Sequence, residues 1–166
     1  MSKMYQKAVI VLFIALTAFT ASCVQLAPKY DAELYSDLTN VNTELMELFS
    51  SVARGTHKDS YPERSNQYHA LIGKIEALAM QSRTRPVPES DALKKINQYL
   101  DSTSQDITFD QQAPSVASLQ KIAESLNRMR TEDEDQGLNA LAVSLFKNEV
   151  VISMDQALTY ESFLNR

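Results

Sequence analysis

PKYDAELYSDLTNVNTELMELFSSVAR, residues 28–54, decides the fold class. Leu34, Leu38, Val41, Leu45, Leu48 and Val52 recur at spacings of 4, 3, 4, 3 and 4. At about 3.6 residues per turn, that series falls on one face of an α-helix and forms a heptad-like seam. Tyr30, Met46 and Phe49 widen the stripe. Pro28 is tolerated in a first turn, Asp31 and Glu33 suit the positive end of the helix dipole, and Gly55 marks the stop. A helix over about Pro28 to Arg54 follows, with one face that must be covered by other helices.

The same period recurs downstream. A second helix starts near Ser60-Tyr61-Pro62-Glu63, where Ser60 and Glu63 have capping-box spacing and Pro62 pushes the cap toward Tyr61. Its apolar face is Tyr68, Leu71, Ile72, Ile75, Leu78 and Ala79, and Arg85-Pro86-Val87-Pro88 ends it. A shorter helix opens at Glu89 or Ser90 with Leu93, Ile96 and Leu100, followed by an irregular connection from Asp101 to Pro114. A fourth begins at Pro114-Ser115 with Leu119, Ile122, Leu126 and Met129, and a polar kink is expected over Thr131 to Gly137. The last, about Gln136 to Leu164, carries two stripes: Leu138, Leu141, Leu145 and Ile152, and Val143, Phe146, Val150, Met154 and Ala157. Two apolar faces predict a central helix enclosed by its neighbours. The chain shows no period-two alternation, and its three glycines leave few tight turns for a sheet. The fold expected is all-α, an antiparallel bundle of four to five helices.

The amino-terminal stretch has a different logic. Lys3 and Lys7 precede an apolar run from Ala8 to Phe19, interrupted only by Thr17, and then Thr20-Ala21-Ser22 leads into Cys23, the single cysteine. Positive charge, an apolar segment and small side chains in this order make a secretory signal. Its run of about 12 residues is shorter than the about 20 needed to cross a bilayer as a helix. The Ala21-Ser22-Cys23 segment resembles the bacterial lipobox. That resemblance implies cleavage between Ser22 and Cys23, a diacylglyceryl thioether on Cys23, and acylation of the new amino terminus. Val24, where Asp would retain a lipoprotein in the inner membrane, implies delivery to the outer membrane, with the body facing the periplasm. The domains expected are therefore 1–22 as signal peptide, 23–28 as a short lipid-anchored tether and 29–166 as the bundle. Six residues or so of tether reach roughly 20 Å, which holds the body close to the membrane.

Charge and motif content narrow the functional classes. Loss of Lys3 and Lys7 leaves 14 Lys and Arg against 21 Asp and Glu, an acidic body that repels nucleic acid. With Cys23 the sole sulfhydryl, the domain has no internal disulfide. His57 and His69 lack the Glu-x-x-His or His-x-x-x-His spacing of a bundle metal site, and no Cys-x-x-Cys-His attaches haem. No serine sits in a Gly-x-Ser-x-Gly turn. Glu44 and Glu47 form one acidic pair. The run Glu132-Asp133-Glu134-Asp135 lacks the distant glutamate of a calcium loop and reads as charge stabilising a helix amino end. Glu149, set among Phe146, Val150 and Ile152, is the candidate buried polar site, since an enclosed carboxylate needs a partner or a raised pKa. Its simpler reading is a boundary residue paired with Lys or Arg. Tyr30, Tyr35, Tyr61, Tyr68 and Phe49 read as core and boundary aromatics, with a groove or partner patch as the other possibility. The function expected is a non-catalytic, cofactor-free lipoprotein that binds or scaffolds an envelope protein; the alternative is a carrier of a small amphiphile or lipid between helices, which needs an apolar cavity of a few hundred Å³.

Overall fold

The computed structural model describes residues 27–85 and 113–165. Among them are four α-helices and no strand: α1 (Ala32–Ser51), α2 (Pro62–Thr84), α3 (Pro114–Asp135) and α4 (Ala140–Phe163), with a 3-10 turn at Lys58–Ser60 before α2. Lengths of 20 to 24 residues make each about 30–36 Å long. The helix expected around Leu93, Ile96 and Leu100, and nearly all of the connection to Pro114, lie outside the described residues.

Each helix packs on the next in the chain, and α4 closes the ring against α1. Contacts at the two ends establish an up-down-up-down order. At one pole, Ser82 near the end of α2 meets Ser115 at the start of α3, and Arg85 joins Glu161 near the end of α4 and the Lys29 carbonyl before α1. At the other, Arg64 in the first turn of α2 meets Asp133 at the end of α3, while the residues just after α1 touch those just before α4. The antiparallel bundle is what amphipathic helices form when they cover one another's apolar faces.

The core faces are those read from periodicity. Leu34, Leu38, Val41, Leu45, Leu48 and Val52 of the first segment are all buried, as are Tyr68, Leu71, Ile72, Ile75, Leu78 and Ala79 of α2 and Leu119, Ile122, Leu126 and Met129 of α3. On α4 only one of the two stripes is buried: Val143, Val150, Met154 and Ala157 turn inward, with Phe146 partly covered. Leu138 is buried too, but Leu141, Leu145 and Ile152 face outward. The last helix is therefore not enclosed on both sides, which corrects the central placement expected for it. Periodicity registers that a face is apolar; it does not say whether the same chain covers it.

The helix ends follow capping chemistry. Helix α1 starts at Ala32, four residues later than expected, because the Asp31 carboxylate accepts hydrogen bonds from the Glu33 and Leu34 N–H groups, each at 3.0 Å. Asn139 caps α4 through the Ala142 N–H at 2.8 Å. Helices α2 and α3 have no side-chain cap and begin instead with Pro62 and Pro114, whose rings set a helical φ and have no N–H to satisfy. The Ser60–Glu63 capping box does not form, since the Ser60 hydroxyl donates to the His57 carbonyl and accepts from Arg64. The kink expected over Thr131–Gly137 is also absent; α3 continues to Asp135 and stops only at Gly137.

Two glycines make the Asp133 pole possible. Gly55 and Gly137 have φ of +89° and +77°, a region where a side chain is strained. They also lie where the two loops meet. A Cβ on Gly55 would sit 2.6 Å from the Leu138 carbonyl, and one on Gly137 would sit 2.7 Å from that of Thr56. Gly73, exposed on α2, meets nothing within 4 Å. Gly55→Ala and Gly137→Ala should each lower unfolding free energy by at least about 2 kcal/mol, from left-handed strain plus the clash. Gly73→Ala should raise it by about 0.5–1 kcal/mol, from helix propensity alone. Urea denaturation of the purified chain followed by circular dichroism reads all three.

Candidate functional site

The largest concentration of buried polar chemistry surrounds Asp133, which is fully buried at the end of α3. Its carboxylate accepts from Arg64 Nε and Nη2, both at 2.9 Å, and from the Tyr68 hydroxyl at 3.1 Å. The Thr56 hydroxyl also donates to it. Thr56 links the cluster to the loops: its N–H donates to the Leu138 carbonyl at 2.7 Å, and its Oγ1 accepts from the Leu138 N–H at 2.8 Å. One carboxylate thus ties α2, α3, the residues following α1 and those preceding α4. The bond to Asp133 holds the Arg64 guanidinium charged, above its ordinary pKa. Burial, then the adjacent carboxylate, raises the Tyr68 hydroxyl well above the usual tyrosine range.

A second buried carboxylate closes the opposite pole. Glu161, fully buried near the end of α4, takes a bidentate pair from Arg85 at 2.6 and 2.8 Å. Ser82 and Ser115 share a buried hydrogen bond of 2.7 Å beside it. The neighbouring Tyr160 is also raised, first by burial and then by the Glu161 charge. Both clusters have every carboxylate oxygen occupied by protein donors, the arrangement that makes a buried charge tolerable. They hold the helices in place at the two poles.

The residues singled out from sequence are elsewhere. Glu149 is not enclosed: its side chain is 46% exposed and pairs with Arg128 at 2.6 Å, and Arg128 also lies 5.9 Å from the centre of the Phe146 ring. It sits at the rim of α4, turned from the core by the residues flanking it. His57 is solvent-exposed against Asp59, and His69 lies exposed beside Arg130 on α3. Among the described residues no three His, Cys, Asp or Glu side chains come together in a way that could hold a metal ion. Of the acidic run, Asp133 alone turns inward. Cys23 and Ser22 lie outside the described residues. Tyr68 and Phe49 are core residues, with Tyr61 stacked on Tyr68 at 6.4 Å between ring centres.

A shallow hollow of about 390 Å³ runs along the α1–α2 seam, lined by Asp37, Asn40, Val41, Glu44, Lys74 and Gln81 among others. Lys74 bridges it to Glu44 at 2.5 Å. Val41, Ala77 and Leu78 supply its apolar floor, and charged and amide side chains from both helices rim it. Among the described residues, no helix is long and apolar enough to cross a membrane.

Asp133 and Glu161 were missed in the sequence, although a signal existed. Asp133 continues the series Leu119, Ile122, Leu126, Met129 at the next spacing of 4, and Glu161 continues Val150, Met154, Ala157 in the same way. Arg64 likewise stands four residues before Tyr68. A charged residue in phase with an apolar stripe is a candidate for burial with a partner; a charged neighbourhood in the sequence hides it.

Arg64→Ala should cost about 3–5 kcal/mol of stability, because Asp133 cannot reach water once its cation is gone. Arg128→Ala, at the exposed pair with Glu149, should cost less than about 1 kcal/mol; chemical denaturation of both variants tests the contrast. The raised hydroxyl of Tyr68 has a defined pH signature. Its contribution to stability is complete below the ordinary tyrosine value near pH 10 and drains away as pH climbs toward its folded-state value. Melting temperature should therefore fall above about pH 10 in the wild type and fall less steeply in Tyr68→Phe, which should itself cost about 1–3 kcal/mol at neutral pH for the bond lost to a charged acceptor. Compared with known proteins, the chain matches no family model, no curated sequence and no solved structure.

Proposed function

We propose that the protein is a lipoprotein of a bacterial envelope, a non-catalytic helical module that a thioether at Cys23 holds to a membrane and that works by docking protein. The anchor rests on the leader: a basic start, an apolar run too short to span, and small residues directly before the only cysteine. Two or three acyl chains attach firmly where a single chain is marginal. Val24 favours the outer membrane.

The observation that carries the docking role is the distribution of exposed apolar side chains. Of the six large exposed hydrophobics among the described residues, Leu141, Leu145, Val151, Ile152 and Phe163 belong to α4, and only Met80 lies elsewhere. Singly scattered apolar residues mean nothing, whereas several on one helix face mark a contact surface. The polar clusters support the same reading, since both buried carboxylates are satisfied by donors of the bundle itself. The tether adds a positional constraint: six residue steps from Cys23 to Lys29, whose carbonyl lies 3.4 Å from Arg85, span roughly 20 Å at most. The Arg85–Glu161 pole would then face the bilayer.

Metabolic labelling with an alkynyl fatty acid tests the anchor in bacteria producing the full chain. The label should appear on the wild type, sediment with membranes, and vanish in Cys23→Ala, which should be released from the membrane fraction. Label retained by Cys23→Ala, or an unmodified thiol at Cys23 by mass spectrometry, would overturn the anchored reading.

A further inference from the structure

We infer that the outward stripe of α4 is a self-association face, on which a second copy of this chain seats its own α4. Leu141, Leu145 and Ile152 are 70%, 61% and 61% exposed, while Val151, at 40%, lies about a quarter turn away round the helix. At about 100° per residue, the first three fall within about 40° of arc, so they form one continuous strip along the helix. Asn148 lies in the same strip, between Leu145 and Ile152, and Ser144 borders it. The spacing 141, 145, 148, 152 is 4, 3, 4, the seam of a two-helix coiled coil.

The area fits a second copy. Taking about 180 Å² for a fully exposed Leu or Ile, the three apolar residues of the strip offer roughly 350 Å² per copy. Pairing two such strips with their polar borders would bury roughly 1,000 Å² in total, in the range of weak specific interfaces and above most adventitious contacts. The strip is short, about 16 Å from Leu141 to Ile152, and a matching strip of the same length on a second α4 covers it without residue left over. Such a contact is weak in dilute solution. Confinement to one membrane raises the effective concentration of the partner and populates it.

The orientation, though not the pairing, rests on the proposed anchor. Two copies tethered at the same pole to one bilayer stand the same way up, so their α4 helices run parallel about a two-fold axis along the membrane normal. Leu141, Leu145 and Ile152 then meet their own counterparts, and Asn148 faces Asn148 of the second copy. One polar pair in an otherwise apolar seam holds the register, because any slip buries the amides against leucine.

Cysteine crosslinking of the full chain in membranes tests both levels. Leu141→Cys and Ile152→Cys should each form disulfide dimers with themselves under mild oxidation, and Glu76→Cys, exposed on α2, should not. Adding Leu145→Glu should reduce dimer yield at least tenfold while leaving the helical circular dichroism signal unchanged. Sedimentation of the wild-type chain in detergent should show a monomer–dimer equilibrium that Leu145→Glu abolishes. If Leu141→Cys and Ile152→Cys fail to self-link but link to one another when two tagged chains are produced together, the copies pair antiparallel; the self-association face stands and the common-pole anchor falls. A dimer formed by the wild type through Cys23 would likewise count against the anchor alone. Absence of every α4 disulfide, with a monomer in detergent at all concentrations, overturns the inference, as do disulfides formed only with an unlike envelope protein.

Discussion

A single carboxylate without access to water sets the terms for half of this molecule. Asp133 is completely buried, and its charge is compensated by a guanidinium on α2 and by hydroxyls from α2 and from the loop after α1. An apolar seam by itself tolerates axial slippage, because one leucine layer resembles the next. A buried ion pair does not, since a shift by one turn would strand the carboxylate in a medium that cannot solvate it. The Arg85–Glu161 pair imposes the same condition at the other end. With a charged lock at each pole and leucine layers between, the four helices have one axial arrangement that leaves no charge unpaired.

How the chain reads from its sequence follows from this division of labour. Burial of a helix face leaves a trace at every third or fourth residue, so the large apolar side chains facing inward from α1 and α2, and the Leu119–Met129 stripe of α3, are legible in the sequence, whereas the buried small residues Ser82, Ser115, Ser118, Ala123 and Ser125 are not. The locks are not legible either, because their members are far apart in the chain: 69 residues separate Arg64 from Asp133, and 76 separate Arg85 from Glu161. Nothing local marks Asp133 as different from Glu132 or Glu134 except its phase with Met129. Glu149 attracted attention for the opposite reason, since apolar neighbours in sequence are not neighbours in space on a helix. It points to the rim, where Arg128 and water share its charge. The Gly55–Gly137 loop contact is equally hidden: Gly55 reads locally as a helix stop and Gly137 as the end of a polar kink, and only the folded pole shows that each also makes room for the other's loop.

Two apolar stripes on the last helix admit two explanations. Both a helix buried in the middle of its own domain and a helix shared between two proteins carry them. The bundle needs only the stripe with Val143, Val150, Met154 and Ala157 to complete its ring. What is left on the outer side is therefore surplus to folding. Its exposed members, Leu141, Leu145 and Ile152, belong neither to the buried core nor to either lock, which separates them from the inward stripe of the same helix.

Rigid locks, a side-facing apolar strip and a short tether are mutually consistent in one further respect. A contact surface on the flank of a bundle is useful only if its partner arrives at the same height and orientation. A long flexible linker would spread the body over many orientations and dilute that match, whereas roughly 20 Å of tether restricts height while leaving rotation about the membrane normal free. Under the anchored reading the α4 strip therefore sweeps a ring parallel to the bilayer, at a height fixed by the Arg85–Glu161 pole. Neighbours in the same membrane meet it by lateral diffusion, and the locked poles keep α4 from tilting away when they do. The buried ion pairs then contribute to more than stability: by denying the helices any axial play, they keep the outward side chains of α4 in the register that a facing helix must match.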